Sequence, residues 1–474
     1  MPARLSSTTA ARRPPGRSAA PPPGRRVLAV PRTWGLRPGD AVYAVAGNAL
    51  LIVAMWIRHG QLLTSPAADL TAAGSLAALL GTYAALVQVV LMSRSPWLDS
   101  TFGIHRIAAW HRWLGFATVI LIAGHVLMTT FGYAMADGRS FVAQTQVFLS
   151  TYPYMLMAYV GAALFIVIAV TSVRAARRRL SHETWHLIHF YVYLAIVLSF
   201  GHQLTTGTDF IDDRVAAGYW IALYVVAAAL VVTFRLVIPV RLARRHRLRV
   251  LRVVQETPTS TSIYIGGRDL DRLPMRAGQF FKFRFLSRGL WWQVHPFSLS
   301  AAPNGQWMRI TIKRVGDFTT RLAAIRPGTA VLLEGPYGVF TAVRRHQPRA
   351  LLIAGGIGVT PLRALIEEMP QRKGSMTLLY RARSWSEVAL RDELDQLVAA
   401  RGGSIHYIIG RRGVEVDRHP FAPRFLNAAV PDARQRDVFV CGPREMVDEV
   451  VGSLRALRVP PRQIHVERFA LLSA

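Results

Sequence analysis

The chain has 474 residues, 51% of them hydrophobic and 18% charged, with a formal charge of +30. Its length allows two to four domains. Most basic clusters sit beside long apolar runs, so anionic membrane lipid, not nucleic acid, is their expected partner. Cys441 is the single cysteine, which excludes intrachain disulfides and any cysteine-ligated iron–sulfur cluster within the chain.

Residues Met1 to Pro38 are rich in Pro, Arg and Ala, lack apolar periodicity and read as a disordered basic tail without the h-region of a signal peptide. Six runs free of Asp, Glu, Lys and Arg follow: Ala41 to Ile57, Leu70 to Ser93, Trp113 to Ala136, Ser140 to Val173, Thr184 to Thr208 and Val215 to Phe234. A bilayer crossing takes about 20 apolar residues, so each run is long enough to span as a helix. Arginine falls in the tail, at Arg174, Arg177, Arg178 and Arg179, and from Arg235 to Arg249. The positive-inside rule puts these segments and both termini on the cytoplasmic side of the cell membrane. The opposite loops are poor in base and carry Arg58, Asp69, Asp137, Arg139, Asp209, Asp212, Asp213 and Arg214. They read as solvated loops, or else as charges that would meet a ligand at that face.

Four histidines belong to two of these spans, His111 standing two residues ahead of the third run. His111 and His125 in the third are 14 residues apart, about 21 Å of rise and within roughly 40° of one helical face. His189 and His202 in the fifth are 13 apart, about 20 Å of rise, but about 140° apart on an ideal helix. Imidazole in hydrocarbon is costly unless paired or ligated. Spans three and five run the same way, so His111 meets His189 at the inner level and His125 meets His202 at the outer. Axial bis-histidine ligation of two b-type haems fits two stacked pairs; helix-to-helix hydrogen bonds and a proton relay are the other readings. His182 and His186, beside Trp185, read as interfacial, and His59 and His105 as loop residues.

After Arg249 the pattern turns to alternating strands, Thr261 to Ile265, Gln279 to Phe285 and Met308 to Lys313, which read as a small antiparallel barrel. From Ala350 strands and helices alternate, as in a parallel doubly wound sheet. Its first strand ends in Gly355-Gly356-Ile357-Gly358-Val359-Thr360-Pro361. Glycines at a strand-to-helix turn let backbone amides approach a pyrophosphate. Arg381, Arg383 and Ser384 follow the second strand, where the adenosine ribose would lie. Two guanidiniums suit a 2′-phosphate, favouring NADPH with NADH as the second option. Cys441-Gly442-Pro443 ends a later strand at the same edge.

The barrel contains His295-Pro296-Phe297-Ser298, Gly316-Asp317-Phe318-Thr319-Thr320 and Gly335-Pro336-Tyr337-Gly338, and the chain ends near Glu467-Arg468-Phe469. With the glycine loop, Cys441-Gly442-Pro443 and six spans carrying four histidines, this order resembles the ferric reductase and NADPH oxidase superfamily over about Asp40 to Phe469. The resemblance implies a multidomain membrane protein: a tail (1–39), a six-helix haem-binding transmembrane bundle (40–240), an antiparallel β-barrel FAD domain (246–345) and an α/β doubly wound, ferredoxin-NADP reductase-like NAD(P) domain (346–474). It implies that His295, Pro296, Phe297 and Ser298 line the flavin, with the Ser298 hydroxyl able to bond its ring. Gly316, Phe318 and Thr319 would hold the FAD pyrophosphate. Gly355, Gly356, Gly358, Thr360 and Pro361 would hold the nicotinamide dinucleotide, with Cys441, Gly442 and Pro443 walling the nicotinamide. Phe469 would stack on the flavin and yield to nicotinamide. Five residues follow Phe469, a departure from the family pattern, and no EF-hand loop is present. Electrons would pass from NADPH through FAD, the inner pair and the outer pair to an acceptor outside: dioxygen, a ferric chelate or a partner protein. A six-span transporter with a nucleotide-sensing module is the alternative, and it predicts broken helices near the midplane.

Overall fold

The computed structural model describes residues 38–58, 65–173, 179–180, 182–211, 213–370 and 374–469. The basic tail before Pro38, His59, Arg174, Arg177, Arg178, Asp212 and the five residues after Phe469 lie outside them, as do the side chains of His105, His182, Asp209 and Phe469.

Six helices are long and apolar enough to cross a membrane: Gly39–Arg58, Pro66–Leu91, Arg106–Asp137, Met155–Ser172, Thr184–Thr206 and Arg214–His246. Large side chains such as Ile120, Leu127 and Val167 are exposed on them, as apolar surface meant for lipid must be. Spans two and three pack closely because glycine lets their backbones touch. A Cβ on Gly74 would stand 2.5 Å from the Thr129 hydroxyl, and one on Gly132 would stand 2.2 Å from that of Thr71. Small residues at such contacts are how helices associate without a hydrophobic driving force between them.

Three sequence expectations change. The run Ser140 to Val173 is two helices, Phe141–Thr151 and Met155–Ser172, parted where Tyr154 takes a left-handed φ of 60° after Pro153. Span five is two segments, His182–Leu198 and Phe200–Thr206, with a turn at Ser199 between them. It is not the continuous helix expected, although the Ser199 N–H still bonds the Ala195 carbonyl at 3.0 Å, so the hydrogen-bond ladder stays closed. Span six passes beyond its apolar run through a five-residue π-helical stretch, Thr233–Val237, into the basic helix Ile238–His246.

The next region holds two three-stranded antiparallel sheets. Strands β1 (Arg249–Thr257), β2 (Ser260–Gly266) and β5 (Trp307–Lys313) form one; β3 (Phe280–Phe285), β4 (His295–Ser298) and β6 (Val331–Tyr337) form the other, in the order β4-β3-β6. Single bridges, Arg249 to Ala330 and Leu299 to Ile310, join them around a shared core that includes Phe281, Phe283, Ile263 and Ile310. The expected barrel is therefore two bridged sheets rather than a closed one. The last region is a parallel sheet in the order β11-β10-β7-β8-β9: β7 (Arg349–Gly355), β8 (Met376–Ala382), β9 (Ser404–Ile409), β10 (Arg436–Pro443) and β11 (Ile464–Phe469). Separate cores lie on its two faces. The strand order reverses between β7 and β10, the crevice where such sheets bind nucleotides.

Candidate functional site

In the membrane region the four histidines meet two by two. The ring centroids of His111 and His189 are 5.9 Å apart, and those of His125 and His202 are 6.4 Å apart. The turn at Ser199 falls between His189 and His202, within the 13-residue step whose two ends an ideal helix would aim apart. Gly161 of span four makes room for it: a Cβ there would lie 2.4 Å from the Ser199 hydroxyl.

His125 is further fixed. Its Nδ1 lies 3.0 Å from the Gly74 carbonyl, and because a carbonyl can only accept, Nδ1 carries the proton and Nε2 keeps the lone pair a metal needs. The Nδ1 atoms of His111, His189 and His202 are buried and unbonded among the described residues. Among those residues no three His, Cys, Asp or Glu converge, so a metal here would draw two protein ligands and take the rest from a bound group. Two metal–nitrogen bonds of about 2 Å plus the half-width of each ring add to about 6 Å, the separation seen in both pairs. A cavity of about 180 Å³ opens at the His125–His202 pair, lined by His125, His202, Thr129, Tyr133, Tyr159 and Gln203 among others.

Sequence reading missed Gln203. Its Oε1 accepts from Trp220 at 2.7 Å and Tyr224 at 3.1 Å, and its Nε2 donates to Thr82 at 3.4 Å, tying the outer end of span five to spans two and six. Its only sequence signal is an amide beside a membrane histidine. The outer-loop charges expected to meet an acceptor are partly engaged elsewhere. Asp213 pairs with Arg58 at 3.0 Å and caps the first amides of span six, while Arg139 pairs with Asp137 at 3.0 Å.

In the sheet region, β4 pairs with β3 so that Ser298 faces Phe280 and His295 faces Phe283. Phe318 stacks on His295, with centroids 3.6 Å apart, and runs nearly parallel to Phe297. The structure thus brings Phe318 to the aromatic strand and into the core. Thr319 caps its own helix, its hydroxyl accepting from the amides of Val315 at 3.0 Å and Gly316 at 3.2 Å. Neither side chain stands free at a pyrophosphate, although the Gly316 backbone is open.

At the end of β7, Gly356 adopts φ +53° with no atom near its missing Cβ, a cradle a side chain would fill. Gly358 packs against the Cys441 carbonyl, where a Cβ would approach to 2.4 Å. The glycine loop and Cys441-Gly442-Pro443 therefore form one surface. Thr360 bonds back to the Ile357 carbonyl at 2.9 Å, and Pro361 is buried in the helix Val359–Glu368. The two arginines after β8 part company. Arg381 is 8% exposed and donates to the carbonyls of Ala382, Ile408 and Gly410, so its guanidinium braces the sheet edge; Arg383 is exposed. Arg411 and Arg412, which sequence reading passed over, are exposed after β9 at the same edge. Cys441 is fully buried, and burial, with Glu467 opposite, pushes its thiol well above the ordinary range, so it stays protonated. Phe469 ends β11 with its backbone paired to Pro443, at the carboxyl edge where that surface lies.

Three family profiles match the chain in this order. "Ferric reductase like transmembrane component" matches residues 77–200, "FAD-binding domain" matches 254–341 and "Oxidoreductase NAD-binding domain" matches 352–452. The chain belongs to the ferric reductase and NADPH oxidase-like superfamily. It is a multi-pass membrane protein with an FAD-binding domain and an NAD-binding domain behind its membrane region. Among its relatives, a flavohemoprotein of Burkholderia sp. (strain TH2) is 28% identical over 234 residues, 48% of this chain and 59% of that protein. A flavohemoprotein of Vibrio cholerae is 31% identical over 43% of this chain and 53% of its own length. Ferredoxin–NADP reductase B of Sorangium cellulosum is 33% identical over 36% of this chain and 77% of its length. The chain thus spans little more than half of the two flavohemoproteins. A solved FAD/NAD-binding domain of a nitric oxide dioxygenase from Vibrio cholerae is 26% identical, covers 48% of this chain and 99% of that structure, and has a TM-score of 0.39.

Proposed function

We propose that this protein carries electrons from NADPH, with NADH as a second donor, across the cell membrane to an acceptor at its outer face. The observation that carries this reading is the pair of histidine pairs, at two levels on the same two spans. His111 with His189 would hold the inner b-type haem and His125 with His202 the outer, while the Gly74 carbonyl keeps His125 in the ligating tautomer. Bound FAD would accept a hydride and release electrons singly, which the haems require. The chain's own part is to bind and orient. His295, Pro296, Phe297 and Ser298 would border the flavin, Gly355, Gly356 and Gly358 would cradle the dinucleotide, and Arg383 would meet a 2′-phosphate. Phe469 would stack on the flavin and yield to nicotinamide. Cys441, buried and protonated, serves as wall rather than as acid or base. The basic segments put both termini in the cytoplasm. The acceptor would be dioxygen, a ferric chelate or a partner protein.

The test is a dithionite-reduced absorption spectrum of the purified protein with haem quantified. About two b-type haems per chain are expected, and none would end the reading. Rates measured without oxygen and with ferric chelate supplied then separate the acceptors.

A further inference from the structure

Between the flavin-side sheets and the nucleotide sheet lies an ionic bridge, built on two buried arginines, that no step above uses. Arg309 of β5 is 3% exposed. On one side its Nε donates to the Ser300 hydroxyl at 3.0 Å and an Nη to the Ser300 carbonyl at 2.7 Å, two residues beyond Ser298. On the other it pairs with Glu393 at 3.0 Å, in the helix Arg391–Ala400 of the nucleotide-binding region. The second oxygen of Glu393 bonds Arg363, 4% exposed, which also pairs with Glu367. Glu367 in turn accepts from the Ala302 amide at 2.7 Å. Arg363 and Glu367 belong to the helix Val359–Glu368, whose first turn continues the glycine loop.

One unbroken chain of charge-assisted hydrogen bonds therefore runs from the strand after Ser298 to the helix that carries the dinucleotide loop. Lys313 with Glu387 at 3.0 Å, and the Ala277 amide with Glu368 at 2.7 Å, cross the same boundary. The two guanidiniums are buried while the Glu393 and Glu367 side chains are 32% and 27% exposed, so removing a carboxylate leaves a buried positive charge short of its partner. Such a bridge has one geometry rather than a range of them, because the Arg309 fork fixes both distance and plane.

We infer that Arg309, Glu393 and Arg363 are positioning residues for hydride transfer, setting the nicotinamide loop at a fixed distance and angle to the flavin strand. The inference rests on the oxidoreductase reading. None of the three is among the residues assigned above to either cofactor. They act through Ser300 and through the helix Val359–Glu368, so their loss slows the chemical step more than it weakens nucleotide binding.

The experiment uses the full-length, FAD-loaded protein under anaerobic stopped flow. Glu393→Gln is expected to lower the limiting rate of flavin reduction by about tenfold or more, as small misplacements of reacting groups do, with nucleotide Kd changed by less than about threefold and FAD content unchanged. Arg309→Lys keeps the charge, loses the fork and serves as the milder variant should Glu393→Gln not fold. Hydrogen exchange gives a readout independent of turnover: amides of Ser300 to Ala302 and of Val359 to Glu368 should exchange faster together in either variant. A parental limiting rate, a change in Kd alone, or faster exchange confined to Arg391–Ala400 would overturn the inference. If neither NADPH nor NADH reduces the flavin of the parent protein, the oxidoreductase reading fails, and the exchange result still decides whether the bridge couples the two regions.

Discussion

The membrane region and the reductase region hold their candidate sites in opposite ways. In the membrane region lipid covers most side chains; only 6% of the apolar window of span five is buried within the protein, against 44% for the more central span two. The histidines are fixed there by a few separate fasteners: the Gly74 carbonyl on His125, the turn at Ser199 and the Gln203 bonds. In the reductase region the glycine loop and Cys441 are part of continuous cores in which Leu352, Val359, Leu362 and Cys441 are fully buried. A single fastener fails locally, whereas a site built into a core fails with its surroundings.

That contrast can be broken most sharply at the outer histidine pair. If the two pairs hold haem as proposed, His202→Ala should remove one haem and leave flavin reduction by NADPH unchanged; loss of both would show the regions to be less separate than drawn. Haem quantified beside anaerobic flavin reduction reads both. Next in size is Gly358→Val, which drives a side chain into the Cys441 carbonyl, a Cβ alone reaching 2.4 Å. Dinucleotide binding should weaken by about a hundredfold, with a core-type loss of stability of about 2 kcal/mol or more, while the haem spectrum stays as in the parent. Calorimetric titration with NADPH and thermal unfolding followed at the flavin test this.

A smaller effect concerns acid. Burial holds His465 below its ordinary value, against the pull of Asp437 at 3.0 Å. The unfolded chain then takes up a proton that the folded one refuses, so the stability His465 contributes is complete above about pH 6.5. It is lost as pH falls from there toward the lowered folded value. His465→Gln should flatten that part of the pH profile of thermal unfolding in the reductase region and leave the membrane region untouched. The smallest effect is at Cys441. Its buried, protonated thiol should resist maleimide at pH 8 in the folded protein and react after denaturation, and rapid labelling of the native protein would contradict the core placement.

The histidine ladder and the nucleotide-binding loop were legible before any coordinates, for different reasons. Histidines in hydrocarbon are conspicuous because the environment makes polar groups costly, and the glycine loop because only glycine lets backbone pack as closely as Gly358 does on Cys441. Roles that depend on where a side chain turns were not legible. Arg381 and Arg383 look equivalent in sequence, yet the first is spent on three carbonyls and the second is exposed. Thr319 reads as a phosphate-binding hydroxyl and instead caps its own helix.

The sequence by itself determined six apolar spans, two histidines on each of the third and fifth, and the order of motifs behind them, because hydropathy and glycine placement are local properties of the chain. Only the tertiary structure decided that His202 meets His125 across a 13-residue step, with the turn at Ser199 packed on Gly161 between the two levels. It alone joined Arg309, Glu393 and Arg363 across two regions of the chain. Those contacts depend on helix breaks and side-chain directions set by packing between distant segments, which no local pattern records.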